Sequence, residues 1–355
     1  MMAEFNISNE TDVQCIKHKG IDQLLVPIVF MTITCIGVIG NGLVIYVIVK
    51  NKAMKTATNY YILNLAITDV AFLSFCAPLT AAMYISAEWL YGRFLCKFFY
   101  YMMQVTAQAT CLTLTAMSLD RFQVIVWPLK SLKGRSTAVA RVGNIVVWTV
   151  SGFASLPVAF YYDVIYNRFA CFDVCFENWP STYWKTGYTI YSAFALYIIP
   201  VVVISVCYSV MLRVLWRQRI PLDEQHHSIK SKTLYQKRKI TRMVLAVVIL
   251  FVVCWLPQHV LVLWIRLDSG FPYGIATYTL KTTAHIMAYL NSCVNPFVYA
   301  FMGENFRNYF RKAFPICCKQ SDVVPDTRVL RPTTKYTREN GARFSSRFAF
   351  NTTWK

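Results

Sequence analysis

Seven stretches of this chain run for 21 to 32 residues with almost no charge: 23–49, 56–87, 98–119, 142–162, 186–212, 243–265 and 282–303. Only Asp69, in the second, interrupts them. A helix rises 1.5 Å per residue, so about 20 apolar residues cross a hydrocarbon layer of roughly 30 Å. All seven stretches are long enough, and they are too long for the ~10-residue strands of a membrane barrel. Buried helices of a soluble protein rarely give seven such gaps in one chain. The pattern therefore predicts an all-α membrane protein, a seven-transmembrane helix bundle.

Composition agrees. Hydrophobic residues make up 56% and charged residues 15% of the 355, against roughly 45–50% and ~25% in soluble domains. A disordered chain is excluded by its 24 Phe, 22 Tyr and 9 Trp. A disulfide scaffold is excluded because 12 Cys are spread over the whole length. The net charge of +19 suggests nucleic-acid binding until it is located. Lys plus Arg number 2, 3, 2, 5, 2, 9, 2 and 11 in the successive segments outside the gaps. The alternate segments holding 28 of them are cytoplasmic by the positive-inside rule, and those holding 8 are external. The charge is thus a topology signal, and nucleic acid is not the expected partner. The expected location is the plasma membrane, with several passes and the N-terminus outside.

Residues 1–23 read as an external segment carrying two glycosylation sequons, at Asn6 and Asn9. Residues 24–302 hold the bundle. After it, Glu304 to Phe314 reads as a short amphipathic eighth helix, with Phe306, Tyr309, Phe310 and Phe314 on one face. Cys317 and Cys318 follow, placed for palmitoylation, so residues 303–318 form one membrane-surface unit. Residues 319–355 are polar and read as a disordered cytoplasmic tail.

Polar residues inside the spans are costly and so informative. Asp69 must face the bundle interior, where Asn41, Thr110, Asn291, Ser292 and Asn295 are candidate partners. A carboxylate ringed by neutral oxygens suits sodium or a proton; the competing reading is a protonated Asp that only packs. Asp120-Arg121-Phe122 closes the third gap at the cytoplasmic face, where Arg121 is either a latch for a cytosolic partner or a snorkelling side chain. The sixth gap begins after Lys237-Arg238-Lys239, which offers Arg121 no carboxylate, so Asp120 alone is expected to hold it. Cys254-Trp255-Leu256-Pro257 sets a Trp beside a mid-span proline, with Phe251 and Pro200 as expected neighbours. Asn295-Pro296-Phe297-Val298-Tyr299 closes the seventh gap, and Tyr208 and Tyr299 place hydroxyls near Arg121. Pro27, Pro78, Pro157, Pro200, Pro257 and Pro296 fall in or at the edge of six gaps, which membrane helices tolerate. Gly37-Val-Ile-Gly40-Asn-Gly42 resembles a nucleotide loop but lies inside the first span, where it lets helices approach. Cys15, Cys96, Cys171 and Cys175 are external and allow three pairings, of which Cys96–Cys175 is favoured. Cys35, Cys76, Cys111, Cys207, Cys254 and Cys293 read as small buried hydrophobes. No enzyme motif and no metal-binding spacing occurs, so no catalytic residue, resident metal or cofactor is expected beyond sodium at Asp69. A seven-span transporter or channel is the competing class, but it calls for a polar pore and often an inverted repeat, and one buried Asp is too few.

Gly40-Asn41, Leu65-Ala66 with Asp69, Trp89 with Gly92 and Cys96, Asp120-Arg121-Phe122, Trp148, Pro200 with Tyr208, Cys254-Trp255-Leu256-Pro257 and Asn295-Pro296 with Tyr299 follow one another along the seven gaps. Together they make residues 24–318 resemble rhodopsin-family G-protein-coupled receptors. Gln104 to Arg121, Leu280 to His285 and Asn295 to Phe301 resemble kisspeptin receptors, with galanin and allatostatin-A receptors next. The resemblance implies an external amidated peptide, a Gq-class G protein and arrestin as partners, with a galanin-type receptor coupled to Gi as the alternative. Its ligand would reach Trp255 and meet Gln104, Gln108, Gln258, His285 and Tyr289. Asp120, Arg121, Pro200, Tyr208, Phe251, Trp255, Pro257, Pro296 and Tyr299 would carry activation. Met103 and Tyr289 stand where amine receptors place an Asp and opsins a Lys, which excludes both subclasses.

Overall fold

The computed structural model describes residues 20–86, 88–128, 136–168, 171–217, 227–272, 274–303 and 306–309. Among these, seven long helices each cover one charge-free gap to within two residues at either end. They are α1 (Asp22–Lys50), α2 (Ala57–Ile85), α3 (Gly92–Val126), α4 (Thr137–Tyr161), α5 (Thr182–Arg217), α6 (His227–Leu267) and α7 (Ile275–Met302). Hydroxyl caps start three of them: Thr56, Ser136 and Ser181 accept from the backbone N–H of Asn59, Val139 and Trp184. A helical turn over 306–309 follows α7, where Phe306 stacks on Tyr299 at 5.7 Å. The rest of the expected eighth helix, Cys317, Cys318, Asn6 and Asn9 lie outside the described residues.

Two features depart from the sequence reading. A two-stranded antiparallel hairpin, β1 (Tyr162–Asn167) and β2 (Phe172–Glu177), joins α4 to α5 in an otherwise all-α fold. The β-branched and aromatic residues Val164, Ile165 and Tyr166 give it strand propensity, but six residues are too few to signal alone. The sixth helix also begins at His227, well before its charge-free gap, so part of the expected third internal loop is helix.

The bundle is inverted relative to a soluble protein. Ile39, Ile145, Phe153, Val206 and Val253 are exposed on its outside, while Asn41, Asn64, Asp69, Asn291 and Asn295 are buried within. Lipid solvates the first set, and the second must be paired by neighbouring helices. By length and composition, α1, α2, α4, α5 and α6 qualify as apolar membrane spans. The other two, α3 and α7, carry many of the interior polar groups: Gln108, Thr110, Thr113 and Ser118 on one, Thr282, Asn291, Ser292 and Asn295 on the other.

All six span prolines lie within helices. Pro200 follows a stretch, Phe194–Ile198, wound as a π-helix. Proline has no N–H to give the residue four back, and one wider turn absorbs that gap. Pro296 leaves the Ser292 carbonyl without its helical donor in the same way. Asn41 Nδ2 fills it, donating to Ser292 O at 2.8 Å and to Gly37 O at 2.9 Å. Two glycines bring α1 close enough. A Cβ on Gly37 would lie 2.3 Å from Leu73 Cδ1 and 3.3 Å from Cys293 Cα, and one on Gly40 would lie 3.1 Å from the Pro296 ring. The close-approach expectation therefore holds for Gly37 and Gly40. It fails for Gly42, where a Cβ would meet nothing within 4 Å. Cys35 is exposed on α1, whereas the other five span cysteines are buried as expected.

Gly37→Val should overpack the α1–α2–α7 junction at a cost of about 1–3 kcal/mol. Thermal unfolding of the detergent-solubilised protein should show a clear drop for Gly37→Val and none for Gly42→Ala.

Candidate functional site

Three polar constellations lie along the axis of the bundle. At the outer end, Cys175 of β2 is bonded to Cys96 near the start of α3, the pairing favoured from sequence. Trp89 N–H donates to Asp173 O at 2.7 Å, and Arg93 Nη2 reaches Asp163 Oδ2 at 2.5 Å, so the hairpin is held along one edge. That exposed ion pair adds little by itself. On the other side, Glu177 Oε1 accepts from Lys185 Nζ of α5 at 2.8 Å and from Arg266 Nη2 of α6 at 2.6 Å. Its Oε2 accepts from Trp179 Nε1 at 2.9 Å. Burial pushes the Glu177 carboxyl up, but the hydrogen bonds from Lys185 and Arg266 outweigh it and hold the group below the ordinary carboxylate range. The knot therefore stays charged at neutral pH and weakens only as pH falls through that lowered value. Sequence reasoning did not single out this knot.

Below it lie the expected ligand residues. Gln104 Nε2 donates to Ser192 Oγ at 3.3 Å, Gln108 is buried on α3, and Gln258 Oε1 on α6 is buried with no hydrogen-bond partner. The His285 ring meets Tyr84 Oη at 3.4 Å. Tyr289 sits deeper in the packing. Its hydroxyl is 2.6 Å from Thr80 Oγ1, and its ring lies between Phe72 at 4.4 Å and Phe30 at 4.9 Å. Trp255 packs on Phe251 at 6.1 Å and on His259 at 6.0 Å, and its Nε1 is unpartnered. Phe251 was expected there and His259 was not. Tyr197 faces this cluster from α5, 4.9 Å from His259, with its hydroxyl donating to Val252 O at 3.0 Å. The space among Ala107, Leu196, Phe251, Trp255 and His259 is only about 10 Å³. That is scarcely one water, so the floor of the site is closed in this conformation.

The middle constellation surrounds Asp69, which is fully buried. Its Oδ2 accepts from Asn295 Nδ2 at 2.8 Å, and Ser292 is a second near neighbour. Asn41 is spent on backbone carbonyls, and Thr110 and Asn291 are buried without a bond to the carboxylate. Asp69 Oδ1 and Asn295 Oδ1 are buried with no donor, as are Asn41 Oδ1 on α1 and Asn291 Oδ1 on α7. An unpaired carboxylate oxygen beside an unpaired amide oxygen suits a small hard cation or a proton. Beside it, Asn64 Nδ2 donates to Thr113 Oγ1 and its Oδ1 accepts from Trp148 Nε1, both at 2.8 Å, bracing α2 to α3 and α4.

At the cytoplasmic end Arg121 Nη2 meets Asp120 Oδ2 at 2.5 Å, with both side chains more than nine-tenths buried. Contrary to the expectation from sequence, Asp120 does not hold Arg121 alone. Thr58 of α2 donates to Asp120 Oδ2 at 2.9 Å and also accepts from Arg121 Nη2. A hydroxyl far along the chain carries no signal of such a role. Arg238 of α6 donates instead to Leu215 O of α5 at 2.9 Å. Tyr208 is buried beside Ser118 and Arg121, and the Tyr299 hydroxyl is buried without a partner.

Buried polar groups along the bundle axis, the Arg121 guanidinium held at its cytoplasmic end and an outer hairpin bonded to α3 are features of a membrane receptor. Residues 40–299 match the family model of the 7 transmembrane receptor (rhodopsin family), and the chain belongs to that family. It is a G-protein-coupled receptor rather than an enzyme, and a multi-pass plasma-membrane protein. It is similar to "G-protein coupled receptor 54" of Oreochromis niloticus, 41% identical over 302 residues, 84% of this chain and 80% of that one. It is similar to the "KiSS-1 receptor" of Mus musculus, 41% identical over 317 residues, 87% and 79% of the two chains. Galanin receptor 2a of Danio rerio is 35% identical over 316 residues, 89% and 84% of the two.

Thr58→Ala removes one of the groups seen holding the Asp120–Arg121 pair. Basal G-protein activation in transfected cells should rise about tenfold or more, as expected from losing a charge-assisted hydrogen bond of about 1.5–3 kcal/mol in the resting state.

Proposed function

We propose that this receptor recognises a short amidated neuropeptide of the kisspeptin kind and signals through a Gq-class G protein to phospholipase C and calcium. The observation that carries the amidated reading is Gln258 Oε1, a buried acceptor with no protein donor. A terminal carboxamide brings N–H donors to such an atom, whereas a terminal carboxylate brings only acceptors. The 41% identity to KiSS-1 and receptor 54 proteins, against 35% to a galanin receptor, supports the kisspeptin kind over the galanin kind.

The peptide terminus displaces Trp255 and His259 and opens the closed floor. Tilting of α6 about Pro257 then uncovers Arg121 for a G-protein segment and, after phosphorylation, for arrestin, with Tyr208 and Tyr299 turning in to support it. The resting state is favoured until the ligand supplies differential affinity; moving 1:99 to 99:1 takes about 5.5 kcal/mol. Sodium at Asp69 fits the unpaired carboxylate oxygen and belongs to the resting state.

A calcium assay against a panel of amidated neuropeptides tests the reading. A kisspeptin-type peptide should act at nanomolar concentration, its free-acid form should be at least about 100-fold weaker, and Arg121→Ala should abolish the response while surface binding persists. A response confined to galanin- or allatostatin-type peptides, with lowered cyclic AMP, would replace it with the Gi alternative. Asp69→Asn should remove the effect of sodium on agonist affinity, measured by displacement with and without sodium. An undiminished effect would leave Asp69 a packing residue.

A further inference from the structure

Six basic residues at the outer end of the bundle lie among the described residues, and five of them are accounted for. Arg93 pairs with Asp163, and Lys97 donates to Phe160 O at 3.1 Å. Lys185 and Arg266 share Glu177, and Arg168 is exposed beside the hairpin tip. The sixth, Lys281 of α7, is half-buried and makes no hydrogen bond or ion pair among the described residues. Helical register gives its direction. At about 100° per residue, Ala288, Ser292, Asn295 and Tyr299 fall within about 40° of Lys281 around α7. All four are buried. Thr279, Thr283, Leu290 and Phe297, on the opposite side, are exposed. Lys281 therefore turns its ammonium toward the interior, one helical turn outward of His285.

A cation turned away from water calls for a counter-ion. The carboxylates described at this end are engaged or exposed. Asp22 accepts from Tyr278 Oη at 2.6 Å, and Asp268 from Trp264 Nε1 at 3.0 Å. Asp163 and Glu177 hold the cations named above, and Glu88 and Asp173 are exposed. We propose that the counter-ion arrives with the ligand: an Asp or Glu side chain of the peptide pairs with Lys281. An ammonium is a compact point charge that takes a single carboxylate oxygen, without the two-pronged geometry of a guanidinium. The inference rests on the peptide reading above and adds to it: Gln258 reads the terminal amide, and Lys281 reads an acidic residue upstream of it. The same charge repels a basic residue from that place in the peptide.

Full-length receptor in detergent is offered two randomised synthetic peptide libraries, one ending in a carboxamide and one in a carboxylate, and the bound peptides are sequenced by mass spectrometry. The amidated library should yield peptides with Asp or Glu at one fixed distance from the terminus. Resynthesised with Asn or Gln in that place, they should bind at least about tenfold more weakly. Lys281→Gln should abolish the difference, Lys281→Arg should keep it, and Lys281→Glu should select Lys or Arg at the same place. Amidated peptides with no acidic preference on the unaltered receptor would overturn the proposal whether or not the variants fold, and would leave the amidated-peptide reading standing. A preference that survives Lys281→Gln would overturn it too. Selection of free-acid peptides alone would sink the amidated reading instead. If the terminal carboxylate were then their only acidic group and Lys281→Gln abolished binding, the side-chain assignment would fall with it.

Discussion

A carbonyl orphaned inside a membrane has no water to turn to, and the Ser292 carbonyl shows how much follows from that. Pro296 removes its helical donor, and the side chain of Asn41 supplies another from a different helix. The substitution works only if α1 lies almost against α7. Gly37 and Gly40 permit that by presenting no Cβ to Leu73, Cys293 and Pro296. The same junction sets the rotation of α7 and so delivers Asn295 to the Asp69 carboxylate. One missing N–H thus accounts for the spacing of the glycines, the orientation of an amide and the position of the buried charge.

The number of spans, their sidedness and the depth of Asp69 were legible in the charge pattern, because transfer of charge into hydrocarbon is costly enough to dominate every weaker preference. The glycines in the first span were legible for the same kind of reason, a steric demand tied to one residue type. The partners were not. Thr58 beneath Arg121, Tyr197 against His259 and the knot of Glu177 with Lys185 and Arg266 all depend on how each helix is rotated about its axis. Rotation is set by packing between elements far apart in the chain, which no local pattern records. Hydropathy alone passes over α3 and α7, because these helices carry the polar groups that the others enclose.

The two ends of the bundle are built on different chemistry. Outside, a carboxylate of β2 binds cations from α5 and α6, and the disulfide to α3 is covalent, so this end is both rigid and charged. Inside, the Asp120–Arg121 pair is neighbouring in sequence and steadied by a neutral hydroxyl of α2.

The longest helix among the described residues is the one that carries Pro257. Some thirty residues of α6 lie between His227 and Pro257, about 45 Å of rod on the cytoplasmic side of the fulcrum. A swing of only 10° at the proline would carry the far tip about 8 Å sideways, so rearrangements of one or two ångströms around Trp255 are magnified into a displacement the width of a docking helix.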